Sequence, residues 1–442
     1  MRTLFLLALG GLFSAVAAAQ TPRIEFTEYK LDNGLQVILH QDKSTPIVAV
    51  SIMYRVGGAD SFEGRTGFAH FFEHLLFEGS ENIDRGEIDD YVQRAGGALN
   101  ANTSNDRTYY YEILPSNQLA LGLWIESERL LHAKVQNKGI ETQREVVKEE
   151  RRERMDNQPY GSVFAELFGH AFRVHPYKDP NIGYMEDLNA ASEEDFQRFY
   201  RTYYVPNNAI LSIAGDIDIP ETKALIEKYF ATIPRGSEVP RVTVVEPPLG
   251  GEVRDTVYDN APLPGIILAY RTPARRDPDS YAIRLLNQVL SQGQSSRLQR
   301  RLVDQEEIAV QAGSFPVESD APGIAVAFAL ARPDADLPRM EAIIDEEVTR
   351  LQNELISERE YQKLRNQVEA DAISGYGSVA GIAESLADYE MFLGDANLIN
   401  TETDRLLAVT REDIQRVARQ YFTPENRVLL YWLPEAMKSS SK

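Results

Sequence analysis

EDFQRFYRTYYVPNNAIL, residues 194–211, returns as EDIQRVARQYFTPENRVL, residues 412–429, at a constant offset of 218 residues. Asp195/Asp413, Gln197/Gln415, Arg198/Arg416, Tyr203/Tyr421, Pro206/Pro424 and Asn208/Asn426 are identical across the pair. Each copy reads as an amphipathic helix, a turn at proline and an apolar strand. A match that carries helix, turn and strand together is the mark of a duplicated unit. The chain of 442 residues is therefore read as two similar halves, each long enough to bury its own core.

Outward from the repeat, a weaker echo pairs the strand ending at Tyr54-Arg55 with the one ending at Tyr270-Arg271. A polar loop and an apolar helix follow each of them. Between the halves, Ile233 to Glu252 (IPRGSEVPRVTVVEPPLGGE) holds four Pro and three Gly and shows no helical period, so it reads as a linker. The division is then 20–235 for the first domain, 236–252 for the linker and 253–442 for the second. In the first half, Ile24 to His40 reads as a hairpin turning at Asp32-Asn33-Gly34, and Ile47 to Tyr54 as a second strand. Helical spacing covers roughly 85–95, 117–134, 138–156 and 163–172, and Thr108 to Leu114 has the aromatic and β-branched content of a strand.

The two halves differ in one respect. All six histidines, His40, His70, His74, His132, His170 and His175, precede the linker, so a histidine-ligated metal can only sit in the first half. There, GFAHFFEHLLFEGS (67–80) places His70 and His74 four apart, one above the other on a helix and able to share one ion. Glu73 stands about 60° round the helix from His70 and about 100° from His74, within reach of a water on that ion. The order His-x-x-Glu-His inverts the commoner metalloprotease motif.

A catalytic zinc takes three protein ligands and a water, so one ligand is missing. The charged helix at 138–156 is the place to seek it. Glu150 follows Val146 and Val147 by four and three residues and can share their inward stripe, yet periodicity does not separate it from Glu149. A single Glu on such a helix is otherwise a solvated charge. His132, His170 and His175 have no partner at metal spacing and read as structural.

Composition narrows the partners. With 46 Lys+Arg against 67 Asp+Glu, the formal charge is −21, and no basic run offers a surface for nucleic acid. Residues 1–19 read as a cleavable secretory signal, with Arg2, an apolar run from Leu4 to Val16 and Ala17-Ala18-Ala19. The expected location is the periplasm. No later stretch has the run of apolar residues that a membrane span needs. The absence of Cys excludes disulfides and thiolate-bound zinc.

HFFEH, then GGALNANTSNDRTYYYEILP, then QREVVKEERRERMDNQPYG together resemble the pitrilysin and insulin-degrading enzyme family of inverted-motif zinc metallopeptidases. The likeness is greatest to its short bacterial forms and to mitochondrial processing peptidase subunits, and it covers essentially all of the chain after the signal. It implies an α/β (α+β) architecture: two homologous domains, each a mainly antiparallel sheet with helices against it, facing each other across a cavity. The second domain would be a metal-free, degenerate copy. The resemblance also implies one zinc per chain, held by His70, His74 and Glu150, with Glu73 as the base that activates water. Asn100 and Ala101 would lie at a sheet edge where an extended peptide adds as a strand.

Two departures from the family pattern stand out. Where many members carry a second Glu, seven residues before the ligand, this chain has Gln143, expected to sit behind the metal ligands. The strand Gly323 to Leu330 lacks the Arg and Tyr with which some members hold the substrate backbone. This implies a partner that completes the substrate wall, as a homodimer or as a heterodimer with a related subunit. The expected activity is zinc-dependent endopeptidase action on peptides or unfolded segments in an enclosed chamber. The alternatives are a non-catalytic or partner-dependent subunit and a zinc hydrolase of a non-peptide substrate.

Overall fold

A computed structural model describes residues 23–375 and 377–441. The expected signal segment 1–19 lies outside the described residues. Six strands in the first half, β1 (Thr27–Lys30), β2 (Gln36–Gln41), β3 (Ile47–Tyr54), β4 (Ala98–Thr103), β5 (Thr108–Pro115) and β6 (Ala209–Gly215), form one sheet in the order β1-β2-β6-β3-β5-β4. Five in the second, β7 (Val253–Asp259), β8 (Gly265–Ala274), β9 (Ala309–Val317), β10 (Pro322–Ala331) and β11 (Arg427–Pro434), form another in the order β7-β11-β8-β10-β9. Strands β2–β6 and β7–β11 follow the same order and the same senses. Only β2 with β6, and β7 with β11, run parallel. The architecture is therefore α/β with two homologous, mainly antiparallel sheets.

The duplication extends to single hydrogen bonds. Asn208 Nδ2 donates to the carbonyls of Arg55 (3.1 Å) and Tyr203 (2.8 Å), and Asn426 Nδ2 donates to those of Arg271 and Tyr421 (2.8 Å each). Each asparagine thus ties its Pro turn to the end of a central strand. The helices Glu193–Tyr203 and Arg411–Tyr421 begin with matching capping boxes, Ser192 with Asp195 and Thr410 with Asp413.

Alternation along the central strands explains how the halves join. In β3, Val48, Val50, Ile52 and Tyr54 face the first half's own helices, while Ala49 and Met53 face the other way. A strand buried on both faces needs cover on both. The second cover comes from the other half: the helix Val379–Leu393 lays Ile382, Ala383, Leu386 and Ala387 on Ile38, Ala49, Met53, Ile210 and Ala214. The exchange is reciprocal. The helix Val163–Ala171 of the first half sets Leu167, Phe168 and Ala171 against Ile267, Ala269, Ile324, Val326, Leu430 and Trp432 of the second sheet. These two helices hold the same place in the chain order of their halves, so each repeat lends the equivalent helix to its neighbour.

The stretch between Phe230 and Val253 forms no helix or strand, yet it is packed. Val239 and Leu249 are buried. The Glu246 carboxylate accepts from the backbone N–H groups of Arg173, Val174 and His175 and pairs with Arg271 at 2.9 Å. The segment is a strap tied to both halves. Among the described residues no helix is long and apolar enough to cross a membrane.

Candidate metal centre

The His70 helix, Phe68–Leu75, turns Phe68, Phe71, Phe72 and Leu75 into the core. Those residues take up the inward face, so His70, Glu73 and His74 are left half-buried on the other. Gly67 starts the helix at φ +83°, where an added Cβ would lie 2.6 Å from the Ile182 carbonyl oxygen.

The Glu150 helix, Asn137–Arg151, runs alongside. Its buried stripe is Ile140, Arg144 and Val147, and Glu150 continues it three residues on. Val146 is 43% exposed, so the expectation that it shares the inward stripe is corrected: it lies round the helix from Ile140 and Val147. The choice left open by periodicity is settled in position. The Glu150 side chain is 14% exposed, while that of Glu149 is 59% exposed and pairs with Arg152 at 2.8 Å.

Glu150 Oε2 lies 3.0 Å from His74 Nε2 and 3.6 Å from His70 Nε2. Single ligand atoms of His70, His74 and Glu150 all fall within 4.8 Å of one another. Ligands about 2.0–2.1 Å from a tetrahedral zinc stand about 3.3 Å apart, and the two measured separations bracket that value. Oε2 is buried and has no aligned hydrogen-bond donor, although two imidazoles adjoin it. Lone pairs that converge without bonding one another are the donor set a zinc ion requires, so the residues fit the metal. With no metal between them, protonated imidazoles would instead donate to Glu150, and such hydrogen bonds hold its carboxyl far below the usual carboxylate range. Its other oxygen is paired with Arg154, one helical turn on, at 2.6 Å.

Glu73 is held from the sheet. Thr103, the last residue of β4, donates through Oγ1 to Glu73 Oε2 at 2.6 Å. Asn100 and Ala101 stand on the same strand, opposite Tyr111 and Tyr110 of β5. β4 is the last strand of its sheet, and among the described residues no strand pairs with its outer edge. Asn100 is exposed, and its Oδ1 accepts from the Ala101 N–H at 2.9 Å. Behind the helix, the Tyr110 hydroxyl donates to the Phe72 carbonyl at 2.8 Å.

Among the described residues, Gln143 bonds none of His70, His74 and Glu150. Its Nε2 donates to Glu78 Oε1 at 2.6 Å, and the other oxygen of Glu78 pairs with Arg85 at 2.6 Å. Glu78 is buried, one turn beyond His74. A second Glu at 143 would set two carboxylates together there, whereas an amide donor satisfies the one present. The Gln143 side chain therefore meets Glu78, on the segment that follows the His70 helix. Thr103 and Arg154 were not singled out from sequence. The first shares a strand face with Ala101 at a spacing of two, and the second is four residues from Glu150.

The remaining histidines have other partners. His40 and His170 bond backbone carbonyls through Nδ1, His175 accepts from the Tyr177 N–H, and His132 lies 3.3 Å from Glu81. Beside the triad opens a cavity of about 470 Å³. His70, Glu150, Phe164 and Phe168 line it from the first half, and Val317, Glu318 and Ser319 from the second.

Comparison with known proteins places these features in a family. Residues 36–183 match the family described as insulinase (peptidase family M16), and residues 190–368 match the peptidase M16 inactive domain. The zinc protease PqqE of Helicobacter pylori is 30% identical over 438 residues, which span 98% of each chain. The probable mitochondrial-processing peptidase subunit beta of Arabidopsis thaliana is 25% identical over 88% of this chain and 75% of its own. A crystal structure of a protease from Helicobacter pylori superposes with a TM-score of 0.90 at 29% identity, covering 93% of this chain and all of that one. The match to the inactive domain begins at residue 190, in the first half, and takes in the histidine-free half as far as residue 368.

Proposed function

The chain belongs to peptidase family M16, the insulinase family, and from that premise we propose that it is a zinc-dependent endopeptidase acting on peptides or unfolded polypeptide segments. The observation that carries this reading is the convergence of His70, His74 and Glu150 beside a separately held Glu73. One zinc per chain, when bound, would polarise the scissile carbonyl and lower the pKa of a water it holds. Glu73, steadied by Thr103, takes a proton from the attacking water and returns it to the leaving amine.

The open edge of β4 supports substrate binding by strand addition through the backbone of Asn100 and Ala101. An incoming strand would take the Ala101 N–H from the Asn100 side chain. A cavity of about 470 Å³ suits a few side chains, not a polypeptide segment. The enclosing chamber is therefore assigned to a partner, either a second copy or a related subunit. Likeness to a protein named as a subunit of a processing peptidase supports that assignment. The site of action is assigned to the periplasm, reached by removal of residues 1–19.

The test is digestion of an unfolded polypeptide and a mixed peptide library by the purified chain, with and without a chelator. Internal cleavage that the chelator stops, and that Glu73→Gln abolishes, supports the reading. Absence of cleavage at any chain concentration, alone or with a related subunit, would overturn it.

A further inference from the structure

The second half keeps the pair of helices that corresponds, in chain order, to the pair bearing the metal ligands: Asp279–Ser291 for the His70 helix and Glu358–Gly375 for the Glu150 helix. With the C-terminal end of Leu337–Asn353 they enclose a cavity of about 560 Å³. Its lining is cationic. Arg297, Arg300, Arg350, Arg359 and Lys363 face Glu347, Glu354 and Glu360, a local excess of positive charge in a chain of formal charge −21.

The ion pairs sort these groups. Glu360 holds Arg297 at 2.9 Å, and Glu347 lies 3.0 Å from Arg350 and 2.9 Å from Arg301. Among the described residues, Arg300 and Arg359 have no carboxylate within ion-pair distance. Among the same residues, Lys363 Nζ donates to the Gln292 carbonyl (2.7 Å) and Ser295 Oγ (3.0 Å) and pairs with no carboxylate. Glu354, at the exposed rim, is the lining carboxylate with no cation within ion-pair distance among the described residues. Ser296 lines the same cavity, is 2% exposed, and its hydroxyl has no hydrogen-bond partner. A buried hydroxyl donor without an acceptor is costly in a folded chain, and here it lies among three cations that also lack an anion.

We propose that this cavity binds a small anion bearing phosphate or carboxylate oxygens, which accepts from Ser296 Oγ and is neutralised by Arg300, Arg359 and Lys363. Guanidinium groups suit such oxygens because they donate in parallel pairs, and hydrogen bonds to a charged group are about twice as strong as neutral ones. The duplicated helix pair would then hold a cation in one half and an anion in the other.

Isothermal titration of the chelator-treated full chain with inorganic pyrophosphate and with citrate, at fixed ionic strength in chloride, tests the site. Chelation keeps the anions from a metal in the first half, and the readout is independent of peptidase activity. Saturable binding of either anion is expected, and which one binds identifies the oxygen chemistry. R300Q/R359Q, both on the surface, should weaken it at least about tenfold, and S296A about threefold or more. No saturable heat with either anion, or binding unchanged in R300Q/R359Q with the fold intact by circular dichroism, would overturn the proposal.

Discussion

Arg129→Met removes the cation from a buried cluster behind the His70 helix. Arg129 Nη1 lies 2.9 Å from Glu112 Oε1 and also bonds Glu126, and the three side chains are between 0 and 2% exposed. The guanidinium also sits over the rings of Phe77 and Tyr110. Methionine fills much of the volume but leaves two carboxylates facing each other without a partner. Loss of one member of a buried ion pair costs about 3–5 kcal/mol, and that is the destabilisation expected at pH 8. The cost depends on pH. Burial already drives the Glu112 carboxyl well above its ordinary range, with Glu126 adding to the rise and Arg129 opposing it. In the variant the opposing charge is gone, so the folded protein binds protons at a still higher pH than the unfolded chain. Stability lost at high pH therefore returns as pH falls through the raised folded value toward the unfolded one. Urea denaturation of wild type and variant at pH 8 and pH 5.5 measures both effects. A difference below about 1 kcal/mol at pH 8, or one that does not shrink at pH 5.5, would refute the reasoning.

Further expectations concern the base, the exchanged helices and the repeat. Thr103→Val should lower kcat about tenfold through loss of a hydrogen bond to a charged group, leaving zinc content unchanged, while Thr103→Ser keeps most of the rate; steady-state kinetics with metal analysis decides. Leu386→Ala removes a fully buried side chain that the second half lays on the first sheet, and should cost about 2–5 kcal/mol in urea unfolding. Asn426→Ala breaks two hydrogen bonds and should cost about 1–3 kcal/mol by the same measurement, whereas Asn208→Ala breaks the equivalent two and a third accepted from Arg241, and should cost more.

Much of the architecture was legible in the sequence because duplication writes one pattern twice. The recurrence of 194–211 at 412–429 corresponds to helix, Pro turn and strand in both halves, ending in β6 and β11. The strand Ile47–Tyr54 appears with the bounds its composition suggests. What sequence could not supply was which surfaces meet. The stretch 163–172 reads as a helix, but periodicity gives a face and not the sheet it covers, so the reciprocal exchange of Val163–Ala171 and Val379–Leu393 emerged only in three dimensions. The strap from 233 to 252 looked like a free linker because Pro and Gly exclude regular structure without excluding packing.

The site divides in the same way. His70, Glu73 and His74 lie on one short helix, where spacing alone fixes their relation. Glu150 needed a choice between adjacent carboxylates that a 100° turn per residue made ambiguous, and burial against Val147 separates them. The partner of Gln143 is Glu78, 65 positions earlier in the chain, which local spacing does not reveal.

Zinc content of the purified full chain tests the central claim most directly. Mass-spectrometric metal analysis should find one zinc per chain in the wild type and in Glu73→Gln, and little in Glu150→Gln at the same free zinc concentration. A wild type that holds no zinc, or a Glu150→Gln variant that holds as much as the wild type, would contradict the account.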